Sequence, residues 1–180
     1  NPVQAGAGYG PELIESIEFG LKGRYMDNRV SINAAYFDNE HEDMQVAYFT
    51  AEQAAASVVL NNSAEQSGFE LEMVALLNDT TQFSLNYGSL DSKYTESVMA
   101  PDGFAPELFP YAPETMIYAS LEKDFGNYRV RLDHSRVGEH NAFPYSSSDP
   151  RSALTHVEER NIIIHKIYFR LCFIAASYIL

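Results

Sequence analysis

The alternation of apolar and polar residues through 15–45 is the feature that most restricts the fold of this chain. Successive side chains of a β-strand point to opposite faces, so a period of two predicts strands. A short polar segment at 23–28 separates two such runs and predicts the turn of a β-hairpin. The hairpin has one apolar face, made of Ile17, Phe19, Leu21, Val30, Ile32, Ala34 and Tyr36.

The length of the second run indicates what that apolar face contacts. The alternation continues from Arg29 at least to Phe37 and could extend through Met44 and Val46. Strands of soluble sheets usually have about 5–6 residues, whereas a tilted strand that crosses a bilayer needs about 9–11. The length therefore favours a strand of a transmembrane β-barrel, with its apolar face turned outward into lipid.

The composition excludes some classes of protein. The 180 residues include 25 acidic and 12 basic ones, and the formal net charge is -13. Because there is no dense cluster of Lys and Arg, we expect no nucleic-acid partner. The mean hydropathy of -0.24 fits a soluble domain or a barrel, since alternating strands conceal their membrane character from an average. The single cysteine, Cys172, excludes an internal disulfide framework and a multi-cysteine zinc site.

Further alternating runs follow along the chain. The third predicted strand, 58–77, places Glu70 and Glu72 on its polar face, which would be costly in a dry core but not in a wet barrel lumen. Short turns are predicted at 23–28, 78–80 and 126–127, and long loops at 50–56, 91–113 and 138–150. This asymmetry is typical of outer-membrane barrels. We predict an all-β fold, an antiparallel up-and-down transmembrane β-barrel segment of about 6–8 long strands, with long loops on one side and short turns on the other.

Three groups of residues are candidates for a metal or nucleotide site, and each has a simpler explanation. The acidic run 38–43 could bind a divalent cation, yet it lacks EF-hand spacing and is typical of a solvated strand margin, of a β-bulge or of the point where a strand leaves the membrane. His134, Glu139 and His140 do not form an H-E-x-x-H motif. The glycines of 6–10 are not followed by Lys-Ser or Lys-Thr. With no G-x-S-x-G motif either, we predict no enzyme, no cofactor and no metal site.

Aromatic residues in the predicted loops are the candidates for contact with a ligand. Aromatic side chains bury a large area at low entropic cost, which suits recognition. Alternatively, the same residues could fold the loops or lie in the aromatic girdle of a barrel. The candidates are Tyr94, Phe104, Phe109, Tyr111, Phe143 and Tyr145.

The order of several short motifs resembles the C-terminal part of the β-barrel of TonB-dependent outer-membrane receptors. The family pattern is E-x-G-x-K, a short turn, an Arg followed by N-A-A-x-F, then D-x-Q-V and G-x-E-x-E. Each motif is short, but their order makes the resemblance specific, and a looser likeness continues to about Gly138. The motifs occur here as Glu18-Phe19-Gly20-Leu21-Lys22, Arg29 with Asn33-Ala34-Ala35-Tyr36-Phe37, Asp43-Met44-Gln45-Val46 and Gly68-Phe69-Glu70-Leu71-Glu72.

The resemblance implies a function that the alternation does not show. Such receptors are barrels of about 22 strands closed by an N-terminal plug domain. They lie in the bacterial cell outer membrane and import scarce ligands, such as ferric siderophores, cobalamin or glycans, with energy relayed by the TonB protein. The resemblance therefore implies three partners, namely outer-membrane lipid, an imported ligand such as a metal chelate, and TonB through the missing plug domain.

The resemblance also implies a division of the chain. We expect 1–160 to be a partial barrel, with the plug domain absent, and 161–180 to be a divergent apolar tail. The tail is long enough for a transmembrane helix, but Lys166 and Arg170 would each oppose insertion by about 2.5–3.5 kcal/mol at a helix centre. Residues 1–12 have neither the basic nor the apolar region of a signal peptide. Two other functions stay open at this point, a soluble all-β domain that binds carbohydrate or another ligand, and a β-rich hydrolase.

Overall fold

The computed structural model of the protein describes residues 11–49, 57–100, 103, 105–141 and 156–169. They form one antiparallel sheet of seven strands, in which each strand is hydrogen bonded to the next along the chain. The strands are β1 Leu13–Tyr25, β2 Val30–Phe49, β3 Ser57–Asn78, β4 Thr81–Glu96, β5 Thr115–Asp124, β6 Tyr128–Asn141 and β7 His156–Phe169. The predicted all-β, up-and-down architecture and the predicted number of long strands are confirmed.

Short and long connections lie at opposite ends of the sheet. One end, which we call the short-turn end, holds the connections 26–29, 79–80 and 125–127. The other, the long-loop end, holds the connection 97–114 between β4 and β5. The connections 50–56 and 142–155 lie outside the described residues. The predicted asymmetry is confirmed for the connections that the structure describes.

The first turn is shorter than the sequence predicts. Residues 23–25 belong to β1, because they pair with 30–32 of β2. The chain then reverses at Met26, Asp27 and Asn28, whose φ angles are 54°, 54° and 65°. The predicted turn 23–28 is therefore wrong at its start, since pairing with the neighbouring strand extends β1 across Gly23.

The register gives the sheet two chemically different faces. Directly paired residues of neighbouring strands have their side chains on the same side. On one side, which we call the apolar face, a row of partners from β1 to β5 consists of Leu21, Ala34, Leu71, Tyr87 and Ile117, and its next partner in β6 is Arg136. The adjacent row on the opposite side, the polar face, consists of Lys22, Asn33, Glu72, Asn86, Tyr118 and Ser135. The two predicted faces of the hairpin are confirmed.

The large side chains of the apolar face are exposed on β1 and exposed or partly exposed on β3 and β4. Ile17 is 62% exposed, Phe19 70% and Leu21 58%. On β3 this face is apolar at alternate positions through 69–77 and becomes polar at Ser67. The apolar stretch of β3 thus has the length of about 9–11 residues that a tilted strand needs to cross a bilayer.

Aromatic residues border the apolar face at both ends. Toward the long-loop end, Tyr36 pairs with Phe19 on one side and with Phe69 on the other. At the short-turn end the rings of Phe125 and Tyr128 stack, with centroids 4.6 Å apart. Two such borders are typical of the girdles that flank the apolar band of a transmembrane barrel.

The acidic run 38–43 contains a β-bulge, which is one of the structures that the sequence suggests. The register of β2 against β3 shifts between His41 and Met44, and Asp43 has a φ of 55°. Beyond the bulge, Met44 pairs with Asn62 of β3. The bulge therefore turns the apolar residues at the end of β2 toward the polar face.

Two strands extend into predicted loops. β4 continues to Glu96 because it pairs with the long β3, so the loop predicted from residue 91 begins at residue 97. β6 continues to Asn141, across a register shift between Val137 and His140, because β7 supplies a partner. Both predicted loop starts are wrong, since pairing with a neighbouring strand overrides the local Gly and Ser signals.

Strand β7 crosses the predicted boundary at residue 160. The division into 1–160 and 161–180 stays a prediction, and 170–180 lies outside the described residues. In the part of the chain that the structure describes, no helix is both long and apolar enough to cross a membrane.

Gly68 marks a place where the polar face has no room for a side chain. Gly68 is buried and pairs directly with Phe37. A Cβ atom at residue 68 would lie 2.5 Å from Phe37 Cζ and 2.5 Å from the Ser89 carbonyl oxygen. Because one of these neighbours is backbone, the strand itself would have to move.

We expect Gly68→Ala to lower the free energy of unfolding by about 1–3 kcal/mol, the usual effect of overpacking. Gly88→Ala is the matched control on the same face, since its Cβ would meet only Met116 Cε, at 3.7 Å. The measurement is urea unfolding of the refolded protein followed by circular dichroism. Equal midpoints for the two variants would contradict the prediction.

Candidate functional site

One group of buried residues lies at the long-loop end of the sheet. Val46, Leu60 and Ala64 are 7%, 7% and 1% exposed, and in the connection 97–114 Ala100 is 4% exposed. The three strand residues belong to the polar face. The connection between β4 and β5 therefore folds over this end of the polar face and covers it.

The side chain of Asn62 joins the connection 97–114 to the sheet through hydrogen bonds. Asn62 is 2% exposed, its Oδ1 accepts a hydrogen bond from Val98 N at 2.8 Å, and its Nδ2 donates to the Leu60 carbonyl oxygen at 3.1 Å. Within the connection, Ser97 Oγ donates to the Pro106 carbonyl oxygen at 2.8 Å. One amide side chain thus links a strand of the wall to the start of the loop.

Tyr94 and Phe109 form the aromatic contact between loop and sheet. Their rings stack with centroids 4.3 Å apart and an angle of 17° between the planes. Tyr94 lies in β4, so its predicted position in a loop is wrong, and it pairs with Ala64 on the polar face. Burial raises the pKa of Tyr94 to about 12, which keeps the phenol protonated at neutral pH. The two rings therefore pack the connection 97–114 against the sheet. Packing of the loops is the alternative to ligand contact that the sequence leaves open for these aromatic residues.

Tyr111 is the loop aromatic that presents its ring to solvent. It is 71% exposed, with a φ of 55° that is uncommon for a bulky residue. Its backbone N donates to the Asn141 carbonyl oxygen at 2.7 Å, and its ring centroid lies 6.4 Å from that of His140. Backbone strain of this kind persists where surrounding contacts enforce it, as at ligand-binding positions.

The six predicted ligand contacts have different outcomes. The structure brings Tyr94 and Phe109 together and places Tyr111 beside the end of β6. The other three, Phe104, Phe143 and Tyr145, lie outside the described residues. Contact of any of the six with a ligand stays a prediction.

A hydrogen-bonded network on the polar face was not found by sequence reasoning. Tyr118 donates its hydroxyl hydrogen to Asp133 Oδ1 at 2.6 Å, and Arg131 Nη2 donates to the Tyr118 oxygen at 2.6 Å. Arg131 Nε also donates to Asp133 Oδ1 at 2.9 Å. Glu122 extends the network through ion pairs with Arg131 at 3.8 Å and Arg129 at 3.4 Å. The available signal was the spacing of Arg129, Arg131 and Asp133, which alternates with a period of two.

Two further carboxylates of the polar face lie outside this network. Glu72 Oε2 accepts a hydrogen bond from Asn33 Nδ2 at 3.3 Å, and Glu70 is exposed beside it. Carboxylates in these positions need water or polar partners above the sheet. The predicted placement of both glutamates on the polar face is confirmed.

Two observations concern small ligands. Among the residues that the structure describes, no group of three or more His, Cys, Asp or Glu side chains could hold a metal ion. An open depression of about 400 Å³ lies at the long-loop end of β5 and β6, lined by Glu114, Thr115, Arg136, Gly138, Glu139, His140 and Asn141.

A single sheet with an exposed apolar face, a polar face and unequal connections is typical of part of an up-and-down β-barrel protein. A family model described as TonB dependent receptor-like, beta-barrel, matches residues 2–156. The chain belongs to this family of TonB-dependent receptor β-barrels.

Three solved structures resemble this sheet. The copper transporter OprC has a TM-score of 0.60 at 17% identity, and the match covers 76% of this chain and 19% of that one. The ferric yersiniabactin uptake receptor FyuA from Yersinia pestis gives 0.55 at 21% identity, covering 83% and 21%. The FrpB iron transporter from Neisseria meningitidis gives 0.54 at 15%, covering 89% and 24%. The chain spans only about a fifth to a quarter of these structures, and at such identities the likeness concerns the fold. No curated protein matches significantly.

We expect Asn62→Leu to accelerate amide hydrogen exchange at Val98 by about tenfold, since a buried hydrogen bond is worth about 1–3 kcal/mol when one partner is lost. Leu has a similar volume but neither accepts from Val98 N nor donates to Leu60. The measurement is hydrogen exchange with mass spectrometry on peptides from 97–114.

Asn61→Leu is the matched control, because Asn61 is exposed on the opposite side of the same strand. Equal rates of amide exchange at Val98 in the two variants would contradict the conclusion that the Asn62 side chain holds the connection 97–114 on the sheet.

Proposed function

We propose that this sheet is a section of the wall of an outer-membrane active-transport receptor for a scarce ligand. The observation that carries the proposal is the exposed apolar face, which spans 69–77 of β3 between two aromatic borders. An exposed apolar surface of this extent is unfavourable in water but favourable against acyl chains. The bacterial outer membrane is the location that fits such a face in this family.

The two other functions left open by the sequence receive less support. A soluble sandwich needs a second sheet packed on the apolar face, whereas the described residues form one sheet. A hydrolase needs two carboxylates that converge on one reacting atom. The family and the similar structures are transport receptors, and we propose that this protein is likewise not an enzyme.

The edges of the sheet indicate how the chain works within a receptor. β1 and β7 each pair on one side only among the described strands. Backbone groups at membrane depth must be hydrogen bonded within the protein, because lipid offers no partners. We therefore propose that further strands of a receptor barrel pair with both edges, and that a plug domain in its lumen links it to TonB.

The polar face and its covered end suit the passage of a ligand. In a barrel the polar face lines the lumen, and the long-loop end faces the outside of the cell. Tyr111 lies at that end with its ring exposed. Since the similar structures are described as copper, ferric yersiniabactin and iron transporters, a metal chelate such as a ferric siderophore is the class we favour over cobalamin or glycans.

We expect Met73→Arg to impair assembly in a membrane, because an Arg at the bilayer midplane of a barrel costs about 2–4 kcal/mol. Met73 lies at the middle of the apolar stretch. Glu72→Arg is the matched control on the next residue, which lies on the polar face. The measurement is the folded fraction of the receptor that contains this chain, refolded into phospholipid vesicles. If both variants fold equally well, the apolar face does not contact lipid.

We expect uptake through this receptor to require TonB and to weaken about tenfold in Tyr111→Ala, since aromatic contacts at binding sites are commonly worth more than 1 kcal/mol. The measurement is uptake of a radiolabelled ferric siderophore, of cobalamin and of a labelled oligosaccharide by cells with and without TonB. Met99→Ala is the control, because Met99 is 69% exposed in the same connection.

Each outcome of the uptake measurement tests a different part of the proposal. Equal uptake of all three probes with and without TonB would contradict active transport. Normal uptake by Tyr111→Ala, with TonB dependence intact, would contradict only the role of that ring.

A further inference from the structure

The apolar face carries a lysine at its short-turn edge. Lys123 lies on this face, since it pairs with Thr81 of β4 and with Val130 of β6. Leu121, two residues earlier in β5 and on the same face, is 41% exposed. Lys123 therefore occupies the row in which the surface changes from apolar to polar.

A relay of hydrogen bonds holds the ammonium group of this lysine. Lys123 Nζ donates to Thr80 Oγ1 at 2.6 Å. The Thr80 hydroxyl is itself a donor to Asn78 Oδ1, at 2.9 Å, and so acts as an acceptor toward the lysine. An ammonium group has three N–H donors, of which two remain for other acceptors.

No carboxylate neutralises this cation within the described part of the chain. The acidic neighbours of Lys123 in sequence, Glu122 and Asp124, lie on the polar face and pair with Arg129 at 3.4 and 3.0 Å. By contrast Lys93, near the long-loop end of the same face, pairs with Glu65 at 2.8 Å. The two lysines thus differ in whether a described residue of the protein supplies an anion.

An aromatic pair lies beside the ammonium group. The Phe125 ring centroid is 5.9 Å from Lys123 Nζ, and the Phe125 ring stacks on Tyr128 with 14° between the planes. Phe125 is 51% exposed and Tyr128 40%. Exposed aromatic rings of this kind favour the headgroup level of a membrane, where an apolar ring and a polar tip both find partners.

We propose that Lys123 binds the phosphate group of a phospholipid at the membrane interface on the short-turn side. The two remaining N–H donors suit phosphate oxygens, which lysine binds as a compact point charge. Phe125 and Tyr128 lie beside the same headgroup. The inference rests on the proposed function, because it requires the apolar face to contact acyl chains.

The test is solid-state NMR of the receptor that contains this chain, isotope-labelled at the lysine Nζ atoms. The receptor is placed in vesicles of phosphatidylethanolamine and phosphatidylglycerol in phosphate-free buffer, so that lipid is the only source of phosphorus. We expect dipolar coupling between a lysine nitrogen and lipid phosphorus that is lost in Lys123→Gln. Lys93→Gln is the matched control and retains the coupling.

Contacts between the methyl protons of Leu71 and the acyl chains, measured on the same samples, separate two kinds of failure. If these contacts are present but the coupling is absent from the wild type or persists in Lys123→Gln, the headgroup site is overturned alone. If Leu71 makes no acyl contact, the membrane-facing role of the apolar face fails, and the headgroup site with it.

Discussion

Backbone pairing in one register keeps the apolar and the polar side chains on opposite faces of the sheet. A shift of one residue between neighbouring strands would move Leu71 to the polar face and Glu72 to the apolar face. The longest strand, β3, pairs with both β2 and β4. Its register therefore determines which side chains of the three strands share a face. The bulge near Asp43 shifts the register of β2 against β3 only beyond the apolar stretch. At that end of the sheet the connection 97–114 covers the polar face.

The length of the strands connects the apolar stretch, for which we propose contact with lipid, to the long-loop end, where the candidate ligand contacts lie. Only 69–77 of β3 carries the apolar stretch, and the rest of the strand extends toward the long-loop end. This extension contains Asn62, whose side chain is hydrogen bonded to the connection 97–114. A loop that rests on a rigid wall can present one exposed ring, Tyr111, in a defined position, which free loops do not achieve. The strands therefore build the candidate site even where the loops carry its contacts.

Alternation along single strands was enough to predict the fold, because one face of the sheet is mainly apolar and the other is mainly polar. The ends of β4 and β6 were not predictable in this way, since they depend on partners that only the folded sheet supplies. The network of Tyr118, Arg131 and Asp133 was missed for the same reason, as it joins side chains of two strands. The loop aromatics were recognised as a set, but whether a ring folds the loop or faces solvent is decided by packing.

In the proposed receptor, a row of charges across β1 to β4 marks where contact of the apolar face with lipid would end. Glu15, Glu40 and Glu65 are direct partners in successive strands, and Lys93 follows as the next partner. Like charges in directly opposed positions repel, and water screens this repulsion whereas lipid does not. We therefore expect this row to lie in water in the proposed receptor, while Phe69, four residues from Glu65, lies at the aromatic border. In the proposed receptor these two positions limit how deep the sheet lies in the membrane, because a deeper position would bring the carboxylates into the acyl chains.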